Sequence, residues 1–350
     1  MLQKRQRLSY SILSENRNIL MGIAILAIII FHFTEDCRLY NVNYSGWVEK
    51  YNYYVSSSFV DVFLVLSGFG LYYSFKKRPD KAYFYKHHII RVLIPYILVA
   101  LPAYFWRDVI FLDLGKKRFL KDFLFLNFFT GDDIWFWYIL MIIFCYLVFP
   151  YISKMFDDAK SESAESVYMI NCFTFLTVIC MMFEIYNKPL FGSLNIALLR
   201  MWGFVFGTLI GKYSYENRKI SNAAYIIMIC TFFALPVREC NRIVMVRYMV
   251  AFFGIALTFA FAIILHYLMI CKWTKWIYKS AQIILGFMGK YSLELYLTHV
   301  TVRSIMGLKG YQTYTMKNEI IMLCISLVLS LAIKFISKPI IKFLNLKFVK

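Results

Sequence analysis

Residues 19–33 read ILMGIAILAIIIFHF, an apolar run without charge that ends beside one histidine, His32. Counted from the candidate caps Ser14 or Asn16, about 17 to 19 helical residues reach roughly 26 to 28 Å, nearly the hydrocarbon core of a bilayer. The run therefore predicts a transmembrane helix with His32 near its far boundary. A histidine at that depth favours a bundle interior or a wet cavity, where its neutral ring can accept a proton. The alternative is a histidine that rests at the interface without a special partner.

The composition extends this interpretation to the whole chain. Of 350 residues, 61% are hydrophobic and 19% aromatic, and the mean hydropathy is +0.60. A soluble domain of this size cannot bury so much apolar material, so the sequence predicts an all-α, polytopic membrane helix bundle. Residues 1–350 are expected to form one transmembrane domain without an appended soluble domain.

Apolar segments long enough to span a bilayer occur about ten times. They lie at residues 17–34, 57–75, 89–106, 134–152, 167–185, 194–211, 222–237, 246–270, 288–307 and 319–337. An even number of spans puts both termini on one side, and the loops on that side are richer in Lys and Arg. The positive-inside rule then predicts cytoplasmic termini, with His32 approaching the outer face.

The net charge and the cysteine pattern argue against a nucleic-acid-binding protein, a metal site and a disulfide framework. A net charge of +19 would indicate a nucleic-acid partner in a soluble protein, but these basic residues fall in short loops, where they set topology. No nucleic-acid partner is expected. The eight cysteines are scattered, without a C-x-x-C pair or a His/Cys ligand spacing, so neither a metal site nor a disulfide framework is predicted.

Asp61 lies in the second span, about one turn, some 6 Å, below the outer boundary and at a depth comparable to that of His32. A carboxylate against the imidazole would fix its tautomer and raise its basicity, as in bases that activate hydroxyl groups. The alternative is that Asp61 reaches the headgroups or caps a helix. Ser67 and Gly68 follow on the same span, where small residues permit close packing or the passage of a bound chain.

A basic cluster is predicted where the second and third spans meet at the inner face. Lys76, Lys77 and Arg78 follow the second span, and Arg91 precedes the apolar residues 92–94 of the third. Such clusters hold lipid headgroups or follow the positive-inside bias, and they also clamp polyphosphate ligands.

Polar residues recur in the ninth span. Lys290 and Glu294 are one turn apart and can neutralise each other. His299 lies near mid-membrane, where an ionisable residue is costly and therefore favours a functional role. Trp135 and Trp137 begin the fourth span and are typical of an interfacial aromatic belt.

Four segments, in this order, resemble the acyltransferase 3 family of ten-span membrane acyltransferases over almost the whole chain. They are LMGIA with FH (residues 20–24 and 31–32), VDVFLVLSGF (60–69), RVLIPY (91–96) and GKYSLELYLTH (289–299). The resemblance implies transfer of an acyl group, usually acetyl, from cytoplasmic acyl-CoA to a hydroxyl of a surface polysaccharide or a lipid-linked sugar. It also implies a multi-pass protein of a bacterial cell membrane, in contact with lipids and needing no metal.

Carried over by position, the resemblance makes His32 the essential histidine and places Asp61 and Ser67 in the second-span motif and Arg91 in the basic motif. Together with the carboxylate argument above, this makes His32 and Asp61 the expected catalytic residues. Acyl-CoA is expected to bind at the inner basic residues and along the second span, and other polar residues are expected near the acceptor or supporting the catalytic group. The first set is Arg17, Ser67, Lys76, Lys77, Arg78, Arg91 and Lys290; the second is Trp135, Trp137, Glu294 and His299.

The chain departs from the family pattern at two positions. Many members carry an arginine where this chain has Met21, and Arg17, one turn earlier on the same face, is the candidate replacement. His88 stands where a first arginine of the basic segment is frequent.

A rival hypothesis is a transporter or flippase for a lipid-linked saccharide, which would use the same polar interior as a pathway. It would need no acyl-CoA, and it favours broken spans in two matching halves, of which the sequence offers no convincing pair.

Overall fold

A computed structural model describes residues 8–55, 57–132, 135–233 and 243–346. Its regular elements are helices, and an isolated bridge joins Ser9 to Lys219. The α-helices are α1 (Ile12–Glu15), α2 (Arg17–Leu39), α3 (Trp47–Tyr54), α4 (Phe59–Lys77), α5 (Lys81–Phe105), α6 (Gly115–Phe123), α7 (Trp137–Asp157), α8 (Glu162–Tyr186), α9 (Lys188–Leu198), α10 (Met201–Tyr215), α11 (Asn222–Phe233), α12 (Ile243–Ile270), α13 (Lys275–Lys290), α14 (Ser292–Leu308) and α15 (Met316–Leu346).

The prediction of an all-α membrane bundle is confirmed, because eight helical segments within the described ranges are long and apolar enough to cross a bilayer. The total of ten spans and the side of the termini stay predictions. The expected span 222–237 coincides with α11 up to Phe233, and its remainder lies outside the described residues.

The expected span 288–307 is wrong as a single helix. The chain leaves helical geometry at Tyr291, with φ −110° and ψ 14°, so that α13 ends at Lys290 and α14 begins at Ser292. Helix α13 packs so tightly on α2 that a Cβ on Gly289 would collide with the backbone carbonyl of Asn18. This contact brings the joint between α13 and α14 against the start of α2.

Helix α5 begins earlier than the sequence predicts. The side chain of Asp80 accepts a hydrogen bond from the backbone N–H of Tyr83 at 3.1 Å, which caps a helix that starts at Lys81. Arg91, expected at the basic end of the span, is therefore the eleventh of the 25 residues of α5. Its side chain has a fixed helical position rather than a loop position.

The segment between α5 and α7 is compact. Asp122 is buried and accepts hydrogen bonds from Arg107, from Arg118 at 2.8 Å and from Asn127 at 2.5 Å. The aromatic residues of this segment pack on α5, where Phe125 stacks on Tyr96 with ring centroids 4.8 Å apart. The stretch 119–129, which the sequence marks as too short to span, thus packs on the bundle through α6 and a short 3-10 turn.

Helices α14 and α15 pack beside α2, and their contacts show the direction in which each one runs. Helix α14 runs parallel to α2, because His299 faces His32 and, one turn further on, Arg303 binds Asp36. Helix α15 runs antiparallel to α14, since Thr298 contacts Ser326 while Glu294, one turn earlier, binds Lys334 eight residues further along α15.

Candidate functional site

A cavity of about 850 Å³ lies inside the bundle. Its walls come from α2 between Arg17 and His32, from α4, α5 and α7, from the joint between α13 and α14, and from the second half of α15. This volume is within the range of small-molecule sites, which are mostly apolar with a few polar groups that orient the ligand.

His32 lines one end of this cavity. Its Nδ1 atom is buried and has no hydrogen-bond partner, which leaves Nε2 as the nitrogen able to meet a substrate. The ring stacks on His299, with centroids 5.5 Å apart and planes within 2° of parallel. His299 itself is buried, does not line the cavity, and has no partner for either ring nitrogen among the described residues.

The expected contact between Asp61 and His32 is wrong. Asp61 is fully buried but pairs with Arg200, which is also fully buried and comes from the break between α9 and α10. Arg200 donates further hydrogen bonds to the backbone carbonyl of Ser57 at 3.1 Å and to its hydroxyl at 2.5 Å. Asp61 does not line the cavity, so its carboxylate ties α4 to α10 rather than orienting the imidazole.

Arg17 lines the other end of the cavity, fifteen positions before His32, which corresponds to about 22 Å of helix. Its guanidinium occupies the space that a side chain at Gly70 would fill: a Cβ there would lie 3.1 Å from its Nε atom. That Nε atom is buried and unpaired. Met21, at the position of the family arginine, also lines the cavity.

Six cations surround this end, which we call the basic end. They are Arg17, Lys77, Arg91, Lys290, Lys334 and Lys338.

Two of the cations expected at the basic end lie elsewhere. Lys76 is outside the lining and forms an ion pair with Asp157 at 2.7 Å. Arg78 is also outside, with its guanidinium 3.6 Å from the centre of the Tyr83 ring. Since α4 ends here, adjacent positions point to different sides, and only Lys77 faces the cavity.

The sequence interpretation missed two cations of the basic end. In the sequence, the positive-inside bias is enough to explain Lys334 and Lys338, but in the structure they are one turn apart and both line the cavity from α15. Lys334 binds Glu294 at 2.8 Å, so the partner of Glu294 is not Lys290, as the spacing suggested. The four-residue spacing of lysines in the last helix was the available signal.

Of the other predicted site residues, some line the cavity and some do not. Ser67, Trp137 and Glu294 line the cavity. Trp135 does not: it stacks on Tyr104 with centroids 5.5 Å apart and covers the guanidinium of Arg107. His88, near Arg91, lines the cavity and shares a 3.1 Å hydrogen bond with Ser74.

The arrangement combines a polyanion site with a base. Clustered Arg and Lys side chains match phosphate oxygens, and an imidazole with one open nitrogen can take a proton from a hydroxyl. Within the described ranges, no group of three or more His, Cys, Asp or Glu side chains is placed to hold a metal ion.

Comparison with known proteins gave one match. The family model described as an acyltransferase domain matches residues 18–338. No curated protein and no solved structure matches the chain.

Proposed function

Because this chain belongs to the acyltransferase family, we propose that it moves an acyl group, in the first place acetyl, from cytoplasmic acyl-CoA to a hydroxyl of a surface polysaccharide or a lipid-linked sugar. One observation carries the proposal: a single cavity is lined by the basic end and by His32. Such a cavity can receive a charged donor on one side of the membrane while the acyl group reaches a base near the other side.

The basic end supports acyl-CoA as the donor. CoA carries several phosphate charges, and Arg and Lys side chains pair with phosphate oxygens through charge-assisted hydrogen bonds. Of the six cations of this end, only Lys334 has an ion-pair partner among the described residues. The pantetheine arm would extend from there along α2 towards His32.

His32 supplies the base of the reaction. As the acceptor oxygen attacks the thioester carbonyl carbon, its proton passes to Nε2 of His32. The C–S bond then breaks, and the leaving CoA thiolate takes the proton back from His32. The enzyme is thereby restored, with an ester and free CoA as the products.

The lining near His32 supports an uncharged acyl group. Ile28, one turn before His32 on α2, also lines the cavity, and among the described lining residues all Lys and Arg belong to the basic end. The carboxylate of a succinyl group at His32 would have no cation of the lining beside it, which is costly. Acetyl fits better.

Turnover of acetyl-CoA by purified protein tests the proposal. We expect protein in lipid nanodiscs to release CoA thiol when membranes carrying the acceptor glycan are supplied. Replacing His32 by Ala should lower the rate by at least about a hundredfold, in line with the loss of a general base. The control is His266→Ala, because His266 lies in α12 outside the cavity lining.

Two results would contradict the proposal. Unchanged acylation in His32→Ala would remove His32 from the reaction. Failure of the wild-type protein to bind or turn over acetyl-CoA would favour a saccharide transporter. NMR of the surface polysaccharide from cells with and without the gene identifies the acceptor, as one missing O-acyl signal.

A further inference from the structure

His299 does not line the cavity, but its ring stacks on that of His32, which does. We propose that His299 is the positioning residue for His32: its ring face holds the imidazole towards the cavity and stabilises the positive charge that His32 gains during transfer. This inference rests on the proposed function, because it concerns the same base.

Among the described residues, neither a hydrogen bond to Nδ1 nor the carboxylate of Asp61 orients His32. Its buried Nδ1 has no hydrogen-bond partner, and Asp61 is bound by Arg200. Phe31, its chain neighbour, meets the ring obliquely at 5.9 Å and 50°. The parallel stack with His299 is therefore the contact that fixes the ring plane.

His299 is itself held firmly. One residue earlier, the Thr298 hydroxyl donates to the backbone carbonyl of Ser326 on α15 at 3.0 Å. One turn later, Arg303 donates to both carboxylate oxygens of Asp36 on α2, at 2.6 and 3.0 Å. These two contacts join α14 to α15 and to α2 on either side of His299, so they fix the position of the helix backbone that carries the ring.

The geometry also suits a charged His32. A cation within about 6 Å of an aromatic centroid, over the ring face, is attracted by the π-electrons. The centroid separation of 5.5 Å lies within this distance, and the planes of the two stacked rings are parallel. When the acceptor proton arrives at His32, the new imidazolium lies stacked beside the His299 ring, which neither gains nor loses a proton.

Three substitutions separate the ring face from the ring nitrogens. His299→Phe keeps an aromatic face, His299→Gln keeps hydrogen-bonding atoms without a ring, and His299→Leu keeps neither. The control is His266→Leu, at a membrane histidine outside the cavity lining.

Diethyl pyrocarbonate is the probe, because its carbonyl is attacked by a neutral imidazole and charge builds on that ring, as in acyl transfer. The rate of ethoxycarbonylation at His32, followed by peptide mass spectrometry on the full-length protein, needs no acceptor. We expect it to fall about tenfold in His299→Leu and His299→Gln, as for the loss of a partly desolvated cation–π contact. His299→Phe should stay within about twofold of wild type.

Acetyl-CoA turnover gives the parallel result. The Leu and Gln variants should lower kcat with an unchanged KM for acetyl-CoA, and Phe should restore kcat. Equal His32 modification in wild type and both ring-free variants overturns the inference, and so does a Phe variant as slow as Gln. A wild type that modifies normally but never turns over acetyl-CoA refutes the proposed function instead, while the modification rates still decide the effect of the stack.

Discussion

At the scale of single residues, the pairing of Asp61 with Arg200 determines what substitution of Asp61 should do. Asp61→Ala leaves the Arg200 guanidinium fully buried without its carboxylate. Removing one partner of a buried ion pair costs about 3 to 5 kcal/mol. We therefore expect a large loss of thermal stability, measured by tryptophan fluorescence of the detergent-solubilised protein.

The double variant Asp61→Leu/Arg200→Met separates stability from chemistry. Replacing both charges with apolar groups should recover most of the stability, because no charge stays buried alone. Since Asp61 does not contact His32, acyl transfer should return as well. A stable but inactive double variant would show that the carboxylate is needed in the reaction.

The neighbours Lys76 and Lys77 differ in where their side chains point. Lys77 lines the cavity, whereas Lys76 binds Asp157. If Lys77 binds a CoA phosphate as proposed, Lys77→Ala removes that charged hydrogen bond. The substitution should raise KM for acetyl-CoA by about five- to tenfold, with little change in kcat. Lys76→Ala should leave KM within about twofold, because surface ion pairs contribute little. Steady-state kinetics compare the two, and an equal effect would contradict the assignment of the basic end.

The sequence identifies residue types better than it identifies partners. His32, Arg17 and Arg91 were chosen for their chemistry and all line the cavity. The partner of Asp61 was not predictable, because Arg200 lies 139 positions away and reaches it only through the packing of α4 on α10. Lys338 was missed because a lysine near the end of a membrane helix is more often a topology signal.

At the scale of elements, the close contact between α13 and α2 depends on Gly289. Gly289→Val would push its side chain into the backbone carbonyl of Asn18 and should cost about 1 to 3 kcal/mol. Gly286→Val is the matched control, because a Cβ at that position meets nothing within 4 Å. Thermal unfolding of the two variants measures the difference, and equal stability would mean that the helices can separate at no cost.

The joint at Tyr291 explains one failure of the sequence interpretation. Residues 288–307 are apolar enough to read as one continuous span, and hydropathy does not reveal a local break. Only the packing of α13 on α2 and of α14 beside α15 fixes where the chain turns. In contrast, the long helices α2, α7 and α12 were predicted well, because each coincides with one uninterrupted apolar run.

At the scale of the whole molecule, the orientation in the membrane decides which end of the cavity meets the donor. Composition and hydropathy were sufficient to predict an all-α membrane bundle, which is confirmed. Loop charges predict that Lys116 is outside and Lys160 inside. Alkaline phosphatase fused after Lys116 should be active, and green fluorescent protein fused after Lys160 should fluoresce. The reverse pattern would turn the basic end away from cytoplasmic acyl-CoA.

The basic end is assembled from side chains at both extremes of the chain, from Arg17 to Lys338. Because domains fold as the chain is synthesised and Lys334 and Lys338 are made late, the six-cation cluster is complete only after α15 has packed against α14.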